Sequence, residues 1–227
     1  MTQTLEIRPD NPHRKAGRPR ANGVKASTAT RHDILNAAAA LFVARGFAGT
    51  STQAIAAAAG LRQPTLFHYF KTKDAILDAL FMLALAEPLA IFKRIEALPG
   101  AAPARLYAAI HADTLSLSNT ANNVKAVFLL PELGHPRFAQ ARAARERLIE
   151  TFARLIAEGI ASGDFRPGDP ARLARLVMSL DEAPVALAAG EAPAQARMVA
   201  DFALSALLIA PERLGAIRDE ALALMSE

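Results

Sequence analysis

The sequence predicts an all-α protein in which a small N-terminal unit of helices precedes a larger helical bundle. Three observations lead there. Alanine and leucine dominate a composition that is 52% hydrophobic but only 6% aromatic, a balance that favours helices over sheets. From residue 30 onward, apolar residues recur at helical spacing. Charge is also unevenly divided: residues 1–73 carry 11 Lys and Arg against 3 Asp and Glu, and residues 74–227 carry 15 against 19. That asymmetry fits either a polyanionic partner for the N-terminal third or a basic tail on a neutral protein. The chain has no cysteine, which excludes disulfides and thiolate metal sites and suits a reducing compartment. No apolar run approaches the ~18 residues of a membrane span, and the polar N-terminus has no signal-peptide core. The expected location is the cytoplasm, with no membrane partner.

Each element has its own signal. Residues 1–29 have no hydrophobic period and place Arg14, Lys15, Arg18, Arg20 and Lys25 among Pro, Gly and Asn. Such a segment buries nothing, so a disordered basic arm is expected. A first helix opens near Thr30, with Asp33 as capping partner, buries Ile34, Ala38, Leu41 and Phe42, and ends at Gly46. Thr50 and Gln53 have the spacing of a second capping box, opening a short helix to Ala59 with Ile55 and Ala58 inward. After the Gly60-Leu61 turn a third helix covers residues 62–70. Pro64 is tolerated in its first turn, and Leu66 and Phe70 form its buried i, i+4 face. A fourth helix opens at Lys73-Asp74 and runs to about residue 92, with Pro88 as a kink. Longer helices follow over residues 102–118, 136–162, 170–189 and 192–210, with a short piece at 124–130 and a terminal segment at 212–225. The domain division is therefore an arm (1–29), a three-helix head with the start of its fourth helix (30–90), and a bundle (91–227).

Two short helices joined by Ala59-Gly60-Leu61 behind a longer first helix have the layout of a helix-turn-helix, whose second helix enters the DNA major groove. Gly60 permits the sharp turn, and Ile55, Leu61, Leu66 and Phe70 hold the helices together. Arg62, Gln63, Thr65, His68 and Tyr69 are left pointing outward, all types suited to base edges and phosphates. An ordinary helical corner with a polar outer face remains the bland reading of the same pattern.

Residues 30–90 resemble the N-terminal domain of the TetR family of bacterial transcriptional regulators. The resemblance is carried by Thr50-Ser51-Thr52-Gln53-Ala54-Ile55-Ala56-Ala57-Ala58-Ala59-Gly60-Leu61, by Leu66-Phe67-His68-Tyr69-Phe70, and by Lys73-Asp74-Ala75-Ile76-Leu77. It implies that Gln63 contacts base edges and that Pro64 offers apolar contact to a thymine methyl. It also implies that Ser51, Thr52, Thr65, His68 and Tyr69 hold phosphates or line the groove. Lys73 would meet a phosphate at the start of the fourth helix. Gln53 stands where the family can carry a base-reading arginine, Phe67 where tyrosine is usual, and Arg62 at the common serine cap position. In the arm, Gly17-Arg18-Pro19-Arg20 resembles the core of an AT-hook, whose arginines enter narrow minor grooves; a generic basic tail is the alternative.

Beyond residue 102 the resemblance is architectural. It implies a homodimer formed by the last two long helices, for which Leu173, Leu176, Leu180, Val199, Phe202 and Ala206 are the candidate contacts. It also implies a ligand cavity within the bundle, with Phe81, Met82, His111 and Phe128 as candidate lining and His111 as the polar handle. Glu132 and His135 have an E-x-x-H spacing, but Gly134 and Pro136 break the helix such a metal site needs. No catalytic constellation, metal site or cofactor is expected. The sequence is read as a homodimeric transcriptional regulator bound to a palindromic double-stranded operator and released by an unknown small-molecule effector. An architectural, nucleoid-associated protein without inducer is the first alternative, and a helical enzyme or carrier the second.

Overall fold

Among the residues that the computed structural model describes, with backbone over 23–118, 125–186 and 192–226, nine α-helices follow one another and no strand forms. Arg18 and Arg20 lie outside the described residues. Helix α1 (Gly23–Arg45) turns Ile34, Leu35, Ala38, Ala39 and Phe42 into the head, all fully buried. Its first seven residues fall inside the segment expected to be irregular. Val24-Lys25-Ala26-Ser27-Thr28-Ala29 contains neither Pro nor Gly, so a helix anchored at Ile34 can propagate back to Gly23. Gly46 ends the helix at φ 72°.

Helices α2 (Thr52–Ala58) and α3 (Gln63–Tyr69) complete the head. Helix α4 (Lys73–Glu96) then runs from it into the bundle, burying Ile76, Leu77 and Leu80 near one end and Leu85, Phe92 and Ile95 near the other. Pro88 lies inside α4 and is buried. Contrary to the sequence expectation, α4 is long and apolar enough to cross a membrane by length and composition. Nine of its 24 residues are nonetheless buried in the protein, and it packs against α1, α5 and α6, as a core helix does.

Helix α5 (Ala102–Ser118) has the span its sequence predicted and is the axis of the bundle, in contact with α4, α6, α7, α8 and α9. Leu106, Tyr107, Ala108, Ala109 and Ile110 are all fully buried, so α5 is covered on every side. Short 3-10 turns at Lys125–Leu129, Pro131–Gly134 and Pro136–Phe138 lead to α6 (Ala139–Ala161), where a single helix from residue 136 was expected. Pro131 and Pro136 each open a new turn there, because proline lacks the N–H that a continuing helix requires. Helices α7 (Pro170–Ala186), α8 (Ala192–Leu207) and α9 (Leu214–Ser226) finish the chain.

Two polar links tie these helices together. Tyr107 donates to Asp201 at 3.0 Å while Arg218 reaches the same carboxylate at 2.7 and 3.1 Å, joining α5, α8 and α9. Burial first, and the Asp201 hydrogen bond second, push the Tyr107 phenol up to about 12, so it remains a donor. At the foot of the bundle Phe165 lies against Gly159. A Cβ at Gly159 would stand 2.2 Å from the Phe165 ring, so this approach requires glycine. The turn is pinned by Arg166 N–H to Leu207 at 2.8 Å and Ile209 N–H to Asp164 at 3.0 Å.

Candidate nucleic-acid interface

The geometry of the head begins with Thr50. Its hydroxyl donates to the carbonyls of Gly46 at 2.9 Å and Leu41 at 3.2 Å, and the residue is buried. It therefore bolts the end of α1 to the next segment and does not cap α2. The cap is Ser51, whose Oγ accepts from Ala54 N–H at 3.1 Å. Ile55 and Ala56 face inward, and Ala58, expected inside, is exposed. The connection closes through Leu61 N–H to the Ala56 carbonyl at 2.8 Å. Gly60 sits at φ 68°, a conformation in which a side chain would be strained.

Helix α3 buries Leu66 within and Phe70 just beyond its C-terminal end. Arg62, at its N-cap, makes no side-chain capping bond, so its guanidinium is not consumed by the helix terminus. Ser51, Gln53, Arg62, Pro64 and His68 are exposed, and Thr52, Gln63, Thr65, Phe67 and Tyr69 are half-buried. Phe67 and Tyr69 also pack on the core. Gln63 Nε2 donates to Thr52 Oγ1 at 2.9 Å, bridging α3 to α2. That bond aims the amide and leaves its oxygen and second N–H for another partner. The structure thus gathers eleven sequence-predicted residues, from Ser51 to Lys73, on one head.

Lys73 has a role that the sequence did not reveal. Its ammonium donates to the carbonyls of Phe47 at 2.7 Å and Thr50 at 2.9 Å and lies 4.2 Å from the Phe47 ring centroid. Two of its three N–H donors are thereby used to clamp the α1–α2 connection onto the start of α4. Thr72 is the N-cap of α4, accepting from Ala75 N–H at 3.0 Å; a hydroxyl residue ahead of Asp74 was its available signal. Arg31 adds a guanidinium 5.0 Å from the Phe70 ring centroid, and Arg137, arriving from the bundle, pairs with Asp74 at 3.1 Å.

The candidate effector residues do not form a single lining. Phe81 is fully buried edge-on against Phe138 at 5.3 Å, and Met82 is half-buried. His111 stacks on Tyr107 at 6.2 Å, with its imidazole pushed below the usual range first by burial and then by Arg197. Phe128 lines a cleft beside α6 that includes none of the other three. The candidate dimer residues do converge. Leu173, Leu176, Leu180 and Ala206 share an apolar groove between α7 and α8. Leu176 is 63% exposed and Phe202 65%, with Met198 beside them at 59%. Val199 is half-buried. Along α8 the open residues Met198, Phe202 and Ala206 are four apart, one stripe facing out while Ala196, Ala200, Ala203 and Leu204 face in.

The geometry matches known proteins over most of the chain. Residues 34–80 match the sequence profile of the bacterial regulatory proteins of the tetR family, and residues 102–183 match that of a tetracyclin repressor-like C-terminal domain. The crystal structure of Mycobacterium smegmatis AmtR is 34% identical and superposes with a TM-score of 0.71, covering 91% of this chain and 99% of that one. AibR in complex with isovaleryl coenzyme A and operator DNA shares the fold at a TM-score of 0.69 and 20% identity, over 80% of this chain and 98% of that one. The transcriptional repressor KstR2 of Rhodococcus jostii (strain RHA1) is 25% identical over 155 residues, 65% of this chain and 74% of that protein. With the head, the bundle and the order of their helices all shared, this chain belongs to the TetR family of bacterial transcriptional regulators.

Proposed function

We propose that this regulator is a homodimeric repressor that reads a palindromic operator with α3 in the major groove and leaves it when a small molecule binds the bundle. The observation that carries the reading is the Gln63–Thr52 bridge. It holds an amide, the group suited to adenine edges, on the exposed side of a rigid two-helix unit. Arg62, Thr65, His68 and Tyr69 surround it with phosphate and groove contacts, and Pro64 is placed for a thymine methyl. Lys73 serves the DNA indirectly, by fixing the head that presents α3. The open apolar stripes of α7 and α8 support an isologous dimer, since two such pairs form a four-helix bundle across a two-fold axis. Relatives support the regulatory half of the reading: one is named a transcriptional repressor, and another was crystallised with an acyl-coenzyme A and operator DNA.

Genomic footprinting of the native protein tests it. Occupancy of one or a few inverted repeats near promoters is the expected result. Many dispersed sites without an inverted repeat would favour an architectural protein instead.

A further inference from the structure

Between the Pro131–Gly134 turn and the first turns of α6 lies a cleft of about 380 Å³, a size that small-molecule sites share. Phe128, Leu130, Pro131 and Leu133 make one apolar wall, and Arg142 and Arg145 stand on the other. The ion pairs of its charged residues decide which ligand fits. Arg145 is committed to Glu182 through three hydrogen bonds of 2.8 to 3.0 Å. Glu146, the carboxylate that also lines the cleft, accepts from Arg175. Arg142 has no ion pair among the described residues. One uncompensated guanidinium therefore faces a hydrocarbon wall, and Arg145 keeps the two N–H groups of Nη1 beside it. The complement of that surface is a carboxylate with an apolar chain.

The turn that walls the cleft also reaches the head. Three residues past Gly134, Arg137 pairs with Asp74 at the start of α4 and lies 5.5 Å from the Phe47 ring centroid. Phe138 next to it packs on Phe81 of α4. Lys73 covers the same Phe47 ring and holds the carbonyls of Phe47 and Thr50, one residue before the cap of α2. A continuous set of contacts thus leads from the cleft wall to the DNA-facing helices. Its ion pair is half-exposed on both sides, at 43% and 45%, and such pairs are weak enough for a bound ligand to break.

We infer that this cleft is the effector site, that its ligand is an amphipathic carboxylate, and that Arg137 transmits its occupancy to the head. The inference rests on the ligand-released regulator proposed above and names its ligand class and its coupling residue. Chain atoms seated against Pro131 and Leu133 displace the turn, part Arg137 from Asp74 and Phe47, and free the head to change its angle to the bundle.

The test uses the full chain and octanoate as probe, with octylammonium and octanol as controls of equal chain length. Calorimetry without DNA should show octanoate binding in clear preference to both controls. Arg142→Gln should weaken it about tenfold or more with no change in melting temperature. On DNA recovered by selection with the wild type, octanoate should lower affinity by about fivefold or more. Arg137→Gln should bind octanoate as the wild type does yet lose most of that response. Absent octanoate binding, equal binding of a control, or an unimpaired Arg142→Gln variant overturns the site. An unchanged DNA affinity with octanoate bound, or an Arg137→Gln variant that still responds fully, overturns the coupling. Failure of the chain to select any DNA overturns the underlying regulator reading and with it the coupling, while the calorimetric result still decides the site.

Discussion

Replacing Phe202 by alanine should split the dimer while leaving each subunit folded. Phe202 is 65% exposed in the single chain, so roughly 130 Å² of a ring that offers about 200 Å² is open to solvent. At about 25 cal/mol per Å², covering that area is worth about 3 kcal/mol. Alanine would forfeit about 2–3 kcal/mol of this per subunit, and symmetry doubles the loss to about 4–6 kcal/mol per dimer. The dimer dissociation constant should therefore rise by roughly three to four orders of magnitude. The melting temperature measured at a concentration where both proteins are monomeric should stay the same, because the ring makes few contacts within its own subunit. Sedimentation velocity over a concentration series reads the first quantity, and thermal unfolding followed by circular dichroism reads the second. An unchanged dimer would refute the placement of the interface on α7 and α8. A monomer that melts earlier would show that Phe202 packs within its own chain.

Four further substitutions probe the head and the bundle. Gln63→Ala should cost ~1–3 kcal/mol at one base position per half-site, and Thr52→Val, which removes the 2.9 Å acceptor that aims the amide, should blur the same position; equal losses on specific and random DNA would reduce Gln63 to a phosphate contact. Lys73→Met should destabilise the head by about 2–4 kcal/mol, since two carbonyls lose a charged donor, while the salt dependence of DNA binding keeps its slope. A stable variant with a shallower slope would show instead that Lys73 neutralises a phosphate. In the bundle, Asp181 is fully buried and accepts from Thr114, and burial followed by the neighbouring Asp113 pushes its carboxyl well above the usual carboxylate range. A raised folded-state value means that this group stabilises fully below the ordinary carboxylate range and loses that stabilisation as pH rises through the elevated value. Asp181→Asn should therefore raise the melting temperature at neutral pH and flatten its pH dependence, whereas an unchanged pH profile would contradict a buried, proton-bearing pair.

The head was legible because its signals are local. Gly46 and Gly60 adopt the positive φ that their positions announced, and Leu66 and Phe70 are buried as their i, i+4 spacing required. Thr50 and Ser51 show the limit of such signals. Both are hydroxyl residues beside the same helix, and the choice of cap was made by the path of α1, which offers Thr50 the carbonyls of Leu41 and Gly46. Lys73 is a second case, since its partners lie 26 and 23 residues earlier in the chain and no spacing rule links them. Leu173, Leu176 and Leu180 were legible as apolar residues of one long helix, while their candidacy for a dimer contact came from the family resemblance. The cleft beside α6 was not, because it depends on the path of the 3-10 turns that Pro131 and Pro136 open between the short piece at 124–130 and the long helix expected from residue 136. Phe128 lines that cleft without Phe81 or His111, with which the family resemblance had grouped it as cavity lining.

The central claim, that α3 reads bases from the major groove in each subunit of a dimer, is met most directly by methylation interference on the selected operator. Methyl groups at guanine N7 project into the major groove. Interference is expected at two symmetric clusters of guanines separated by about one helical turn, ~34–36 Å, flanking the base that Gln63 reads in each half-site. Interference confined to adenine N3 in the minor groove, or a uniform pattern without two-fold symmetry, would contradict it.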